Sequence, residues 1–497
     1  MTTSSLAEAP IGPPRKSPLG ILRNAGWLTG TRLAGDFLSF GLFVVLSRYF
    51  GPSGIGQFAY GFAIASFVSI FVGLGLDDFG VREFARLETA DSRQLLGKLV
   101  VSQLGLLVIV GVALGGFLLA TKASPTVAGI IVVLSIQQAV LAIARTFFAP
   151  AYAQQAMATP ALMEVGCRAA GMLITLALVV LSHASLVVAV VGYPIGALAL
   201  LAFAIPSGVR RTGGLSLRIA PREALRLVLI TWPFGASEMV YLLYTRADLV
   251  ILTWMRGDAT AGIYASSLKF YEVSTLPVFF LGFAAYPALS RLFEERAPRL
   301  ASAVGRLFLS SLLIAGLIAW GMVFVIPSVL VPLLGDKFSS AGPVVQLMAV
   351  FVVLTAVEAT ATRVLLAVHL QVIKFKLQLA STVLNVVLDL LLIPRFGIMG
   401  AIVATAAALV MVDVFYLRAL ATRLVSAPII TALVAFVVPL LAAFAAGTMA
   451  TVLSWPQWLA AFGSLGIFLA VALLSGLGAL LREALGGQLL GGLPADH

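Results

Sequence analysis

Apolar runs of about 20 residues recur from one end of this chain to the other, and the connections between them do not exceed roughly 20 residues. Coiled as a helix, each run is long enough to cross a bilayer core of about 30 Å. The chain therefore reads as an all-α polytopic membrane protein. Composition agrees: of the 497 residues 61% are hydrophobic and 11% charged, where a soluble domain carries about a quarter charged. The first apolar segment is too long for a cleaved signal peptide, and no small-residue cleavage pattern follows it. The Pro- and Ser-rich start, with Arg15 and Lys16, reads as a short disordered cytoplasmic tail.

Hydropathy predicts about fourteen spans, near 25–47, 57–80, 99–120, 126–148, 161–182, 185–205, 226–253, 261–288, 303–325, 343–367, 373–393, 398–419, 428–452 and 458–481. With the N-terminus inside, 21 of the 32 Lys and Arg residues fall on the cytoplasmic side, and only Arg48, Lys122, Arg256, Lys337 and Arg395 on the other. This is the positive-inside bias, with both termini cytoplasmic in an inner (cytoplasmic) membrane. It accounts for the net charge of +11 through loops lying against anionic lipid headgroups, with no need of nucleic acid.

The six remaining basic residues, Arg32, Arg145, Arg168, Arg246, Lys269 and Arg363, fall within spans. So do Asp36, Glu164, Glu238, Asp248, Glu272, Glu358, Asp389 and Asp413. Each charge placed at mid-bilayer costs about 2.5–3.5 kcal/mol on insertion scales. Snorkelling relieves a residue near a span end, such as Arg145, but not the whole set, and a hydrated cavity between helices is the economical explanation.

The chain also repeats. RYFGPSGIGQFAYG (48–61) aligns with TWMRGDATAGIYAS (253–266) when Gly51 is set on Gly257 and Gly56 on Gly262. Six spans separate the copies, so they run in the same direction, and a cavity is expected between two parallel halves. The expected organisation is a tail (1–24), an N-terminal lobe of six spans (25–210), a C-terminal lobe of six (211–425), and two peripheral spans with a C-terminal tail (426–497).

Several chemistries are absent from this pattern. The connections leave no room for a soluble catalytic domain, GPSGIGQ lacks the lysine of a phosphate-binding loop, and the single Cys167 and three scattered histidines offer neither a disulfide nor a Cys/His metal cluster. Asp77–Asp78 caps a span end and is given no catalytic role. The chain is not expected to be an enzyme.

GWLTGTRLAGDFLSFGLFVVLSRYFGPSGIGQFAYG, followed by GLGLDDFGVREFAR and, near the end, by IPRFGIMGAIVATA (393–406), resembles the Wzx-type oligosaccharide flippases. Their superfamily, the multidrug, oligosaccharidyl-lipid and polysaccharide exporters, also holds the lipid II flippase and the drug and toxin extruders. The resemblance implies alternating access, in which a two-lobed bundle carries a polyprenyl-diphosphate-linked oligosaccharide from the cytoplasmic to the outer leaflet. Membrane lipids, and a polysaccharide polymerase or assembly proteins, would be its partners.

A diphosphate needs cations along its path, and arginine suits it because its planar fork donates paired hydrogen bonds and keeps its charge. The expected substrate cavity comprises Arg32, Asp36, Glu238, Arg246, Lys269, Glu272 and Arg363. Asp36 follows Arg32 by one turn and Glu272 follows Lys269 by three residues, so each acid is placed to neutralise its cation until phosphate arrives. Glu238 is expected to pair across the lobe interface. The plain alternative is that Arg32–Asp36 is a structural pair within one helix.

Similarity to the sodium site of the lipid II flippase implies a second site for Na+ or H+ as coupling ion. Asp248, Asn385, Asp389 and Thr405 would supply side-chain oxygens, and Ala401 its carbonyl, a hard donor set suited to a small cation. Asn385 and Asp389 merely bonding to neighbouring helices is the alternative. The Met and aromatic residues along spans 2, 8 and 9 read as packing rather than as platforms for stacking sugars, and only Tyr241, Tyr244 and Tyr271, near the charged positions, are kept as candidates. Three rival readings remain: a cation-coupled drug extruder, a membrane glycan polymerase or ligase, and a non-catalytic scaffold.

Overall fold

The computed structural model describes residues 18–87, 89–218, 220–422 and 457–472, with 441–442, 445–447 and 449. Among these residues every regular element is a helix, as expected where lipid offers the backbone no other hydrogen-bond partner. The helices are α1 (Pro18–Gly73), α2 (Leu76–Phe84), α3 (Thr89–Ala120), α4 (Pro125–Ala153), α5 (Ala158–Val180), the single turn α6 (Leu186–Ala189), α7 (Gly192–Arg211), α8 (Pro221–Arg256), α9 (Asp258–Glu294), α10 (Leu300–Phe324), α11 (Ile326–Leu334), α12 (Ala341–Ala367), α13 (Gln371–Phe396), α14 (Ile398–Ala421) and α15 (Gln457–Ala472). Eleven stretches are long and apolar enough to cross a membrane, and the first, Leu33–Phe84, has 52 residues, enough for two passes.

The two glycines aligned by the sequence repeat have the same unusual backbone. Gly51 breaks α1 at φ 65°, ψ −172°, and Gly257 separates α8 from α9 at φ 83°, ψ 172°. Both lie in the region that a Cβ disfavours, so each turns the chain back into the membrane within one residue. Just beyond them α1 and α9 cross so closely that a Cβ on Gly56 would collide with the Asp258 carbonyl, and one on Gly262 with the Pro52 carbonyl. Small residues at such a crossing let two backbones touch.

Polar contacts across this end reinforce the crossing. Gln57 donates to Asp258 Oδ2 at 2.9 Å and Trp254 Nε1 to Tyr60 Oη at 2.8 Å. Two arginines from the lobe ends cap helix C-termini, where carbonyls lack intrahelical partners. Arg48 Nε donates to Leu333 O at 2.7 Å, and its Nη2 donates to Pro332 O. Arg256 reaches Ile393 O at 3.2 Å and Pro394 O at 2.6 Å.

At the opposite, arginine-rich end the lobes meet on one flank. Gly75 fits against Phe234 and Gly235 of α8, Ser102 Oγ donates to Ala224 O at 3.3 Å, and Lys98 Nζ lies 3.1 Å from Glu223 Oε2. The expected span 13 (428–452) lies largely outside the described residues, as do the tails. The described part of span 14 is α15, which packs against α10 through Trp320 Nε1 and Ser464 Oγ at 3.1 Å.

Candidate functional site

Between the lobes α1, α4, α5, α7, α8 and α9 enclose a cavity of about 300 Å³. Its centre holds one carboxylate shared by two cations: Glu272 Oε1 lies 3.1 Å from Arg246 Nη1, and its Oε2 lies 3.3 Å from Lys269 Nζ. The three side chains are about a quarter to a third exposed, so they border the cavity and are not sealed in packed protein. Their mutual attraction is accordingly modest. Glu272 and Lys269 share a helix face at i, i+3 spacing, and the α8–α9 turn at Gly257 brings Arg246 alongside.

Three further charged side chains of the wall come from the N-terminal lobe: Arg145 on α4 and Glu164 and Arg168 on α5. Arg168 Nη2 donates to Ser39 Oγ at 2.6 Å, and its guanidinium lies under Gly35, where any Cβ would stand 3.1 Å from Nη1. Four cations thus face two carboxylates, and the wall carries an excess of positive charge.

The structure brings Arg246, Lys269 and Glu272 together as a group. Asp36 lies half-buried on α1, off the wall, and the side chain of Arg32 lies outside the described residues. Glu238 is exposed on α8, across the interface from Asp77, Asp78 and Arg145. Arg363 stands with its guanidinium 3.7 Å over the ring of Phe283, away from the wall. Arg145, Glu164 and Arg168 were visible in the sequence only as charges within spans, with no spacing that assigns them to a common wall.

The second set converges from α8, α13 and α14. Asp248 accepts hydrogen bonds from Tyr264 Oη and, at 2.6 Å, from the Leu249 backbone N–H. Asp389 is fully buried, with both carboxylate oxygens lacking a hydrogen-bond partner, and Asp248 is its electrostatic neighbour. Asn385 Nδ2 donates to Thr405 Oγ1 at 3.4 Å, and Ala401 is fully buried on the facing helix. A buried carboxylate with no partner is costly, and oxygens from Asp248, Asn385 and Thr405 beside it are the donors a small hard cation takes. The donor set therefore fits such an ion. Tyr264 was missed in the sequence.

Elsewhere in the C-terminal lobe Tyr244 Oη donates to Glu358 Oε2 at 3.4 Å and the hydroxyls of Tyr271 and Thr355 are hydrogen-bonded at 2.7 Å, whereas Tyr241 is exposed.

The model of the family described as polysaccharide biosynthesis protein matches residues 21–293, more than half of the chain. A probable flippase, AglR of Haloferax volcanii, is 26% identical over 224 residues, 43% of this chain and 46% of that protein. An uncharacterized membrane protein of Methanocaldococcus jannaschii is 27% identical over 161 residues, 32% of each. The chain thus spans less than half the length of the curated relatives it matches. Among solved structures, the lipid II flippase MurJ in an inward closed conformation superposes with a TM-score of 0.73 at 14% identity, over 93% of this chain and 99% of that one. A mutant of the Vibrio cholerae MATE transporter VcmN gives 0.54 at 18% identity, over 81% and 98%. At these identities the structural likeness establishes the fold, an all-α polytopic membrane bundle.

Proposed function

We propose a function from one premise: the chain belongs to the polysaccharide biosynthesis protein family. It is a flippase that moves a polyprenyl-diphosphate-linked oligosaccharide from the cytoplasmic to the outer leaflet of the inner membrane by ion-coupled alternating access between the lobes 25–210 and 211–425. The arginine-rich end and both termini face the cytoplasm. The observation that carries this reading is the cavity wall, where Arg246 and Lys269 share Glu272 beside Arg145 and Arg168.

A diphosphate entering the cavity replaces Glu272 as counter-ion. Arg246 and Arg168 offer forked N–H pairs to its oxygens, and Lys269 contributes a point charge. Arg32, Asp36, Glu238 and Arg363 are assigned to the approach of the headgroup. Contact between the lobes at the α1–α9 crossing, and on one flank of the arginine-rich end through Gly75, Ser102 and Lys98 against α8, supports two ends that open in turn. Reopening on one side at a time requires a free-energy input that a bound ion supplies. Asp389, Asp248, Asn385, Thr405 and the Ala401 carbonyl would hold Na+, and Asp389 would take the proton if H+ is the ion. Spans 13 and 14 are assigned to the periphery, and a polymerase or assembly protein is the expected receiver of the sugar.

The test is transbilayer movement of a fluorescent polyprenyl-diphosphate oligosaccharide in proteoliposomes. Wild type moves it, Lys269→Ala does not, and Asp389→Asn loses the dependence on the ion gradient. Export of small organic cations with no movement of the lipid would assign the chain to the drug-extruder branch, whose fold it also shares.

A further inference from the structure

Part of the cavity wall is aromatic rather than charged. Phe58 and Phe62, one turn apart on the second half of α1 and read from the sequence as packing, line the cavity instead, together with Tyr193 at the start of α7. The Phe58 centroid lies 6.3 Å from that of Phe62 and 5.9 Å from that of Tyr193, with interplanar angles of 32° and 41°. Edge-to-face packing would leave little ring face for a ligand, whereas these shallow tilts join three rings into a bent panel.

Two carboxamides on α4 line the same cavity. Gln137 Oε1 has no hydrogen-bond partner, although buried polar atoms normally have one. Gln138 reaches Ser66 Oγ only at 3.5 Å. Arg168 lies within electrostatic reach of Tyr193 and so joins the panel to the charged centre. The repeat sharpens the contrast. Tyr264, the counterpart of Phe58 in the other lobe, is fully buried and bonded to Asp248, while Phe58 presents a half-buried ring to the cavity.

We propose that this panel is a carbohydrate subsite that selects the sugar of the substrate. A pyranose has apolar C–H faces rimmed by hydroxyls. Its faces stack on Phe58, Phe62 and Tyr193, and its hydroxyls both give and receive hydrogen bonds, which a carboxamide matches because it is donor and acceptor at once. Aromatic lining with a few directional polar groups is the usual make-up of a small-molecule site. The same rings would attract an organic cation, but Arg168 beside them and the excess of positive charge on the wall oppose one. The inference rests on the flippase reading and adds that the N-terminal lobe reads the sugar while the Arg246–Lys269–Glu272 cluster holds the diphosphate.

The experiment measures binding of three lipids of equal polyprenyl length to the purified full chain: the bare diphosphate, a hexose-headed one and an N-acetylhexosamine-headed one. Wild type binds at least one glycosylated lipid about tenfold more tightly than the bare one, the scale of a good ring contact plus a hydrogen bond. Phe58→Leu and Gln137→Ala bring that ratio close to one and leave bare-lipid affinity unchanged, which also shows that they are folded. Tyr193→Phe, which keeps the ring, preserves the ratio. Wild type binding all three lipids equally, or both variants keeping the ratio, overturns the subsite and leaves the flippase reading standing. Wild type binding none of the three overturns both.

Discussion

Gly56 and Gly262 meet backbone to backbone at the crossing of α1 and α9, each so placed that a Cβ would stand 3.0 Å from the other's nitrogen. They are equivalent positions of the two repeats, so the contact lies at the join of the lobes, next to the cavity-lining Phe58 and Ala265.

Gly56→Ala and Gly262→Ala therefore overpack the crossing, at a cost of about 1–3 kcal/mol. The expected outcome is a lower Tm for either variant and a shift of the lobes relative to each other. Thermal unfolding in detergent checks the first, and labelling of Cys167, which lines the cavity, checks the second. Unchanged labelling would show that the crossing does not control access to the cavity.

Glu272 is the shared counter-ion of Arg246 and Lys269. Glu272→Gln leaves both cations without it, so binding of a bare polyprenyl diphosphate should tighten several-fold and become more salt-sensitive. Lys269→Ala should weaken the same binding. A titration at two ionic strengths separates the cases.

Asp389 is buried with neither oxygen hydrogen-bonded, so a cation that binds there stabilises the fold by linkage, by about 2.7 kcal/mol at a concentration 100 times Kd. The Tm of wild type should rise with Na+ at constant ionic strength, and that of Asp389→Asn should not. A wild-type Tm indifferent to Na+ transfers the coupling role to protons. Tyr264→Phe removes a donor from Asp248 and should destabilise the fold by about 1.5–3 kcal/mol, the worth of one hydrogen bond to a charged group, seen as a lower Tm.

Ser102 and Ala224 face each other across the arginine-rich end. In a Cys167→Ser background, the pair S102C and A224C should cross-link on oxidation and arrest transport, with recovery on reduction. Transport by the cross-linked protein would mean that this flank does not open. The neighbouring Lys98–Glu223 pair is half exposed, and Glu223→Gln should cost less than about 1 kcal/mol.

Hydropathy alone made the chain a membrane bundle, because the length of an apolar run and the need to satisfy every backbone group in lipid leave the helix as the outcome. The repeat was legible too, since turning back within one residue demands a backbone that glycine tolerates, and Gly51 and Gly257 stand where the alignment put them. The i, i+3 relation of Lys269 and Glu272 was local geometry, as was the one-turn spacing of Asn385 and Asp389. The tertiary structure alone decided which intramembrane charges share a wall. Arg145 and Arg168 join it while Arg363 turns to Phe283, and Phe58 lines the cavity while its counterpart Tyr264 is tied to Asp248. A side chain's helix and height follow from the sequence, but the rotation of each helix about its axis is set by how all of them pack, and that rotation determines what faces the cavity.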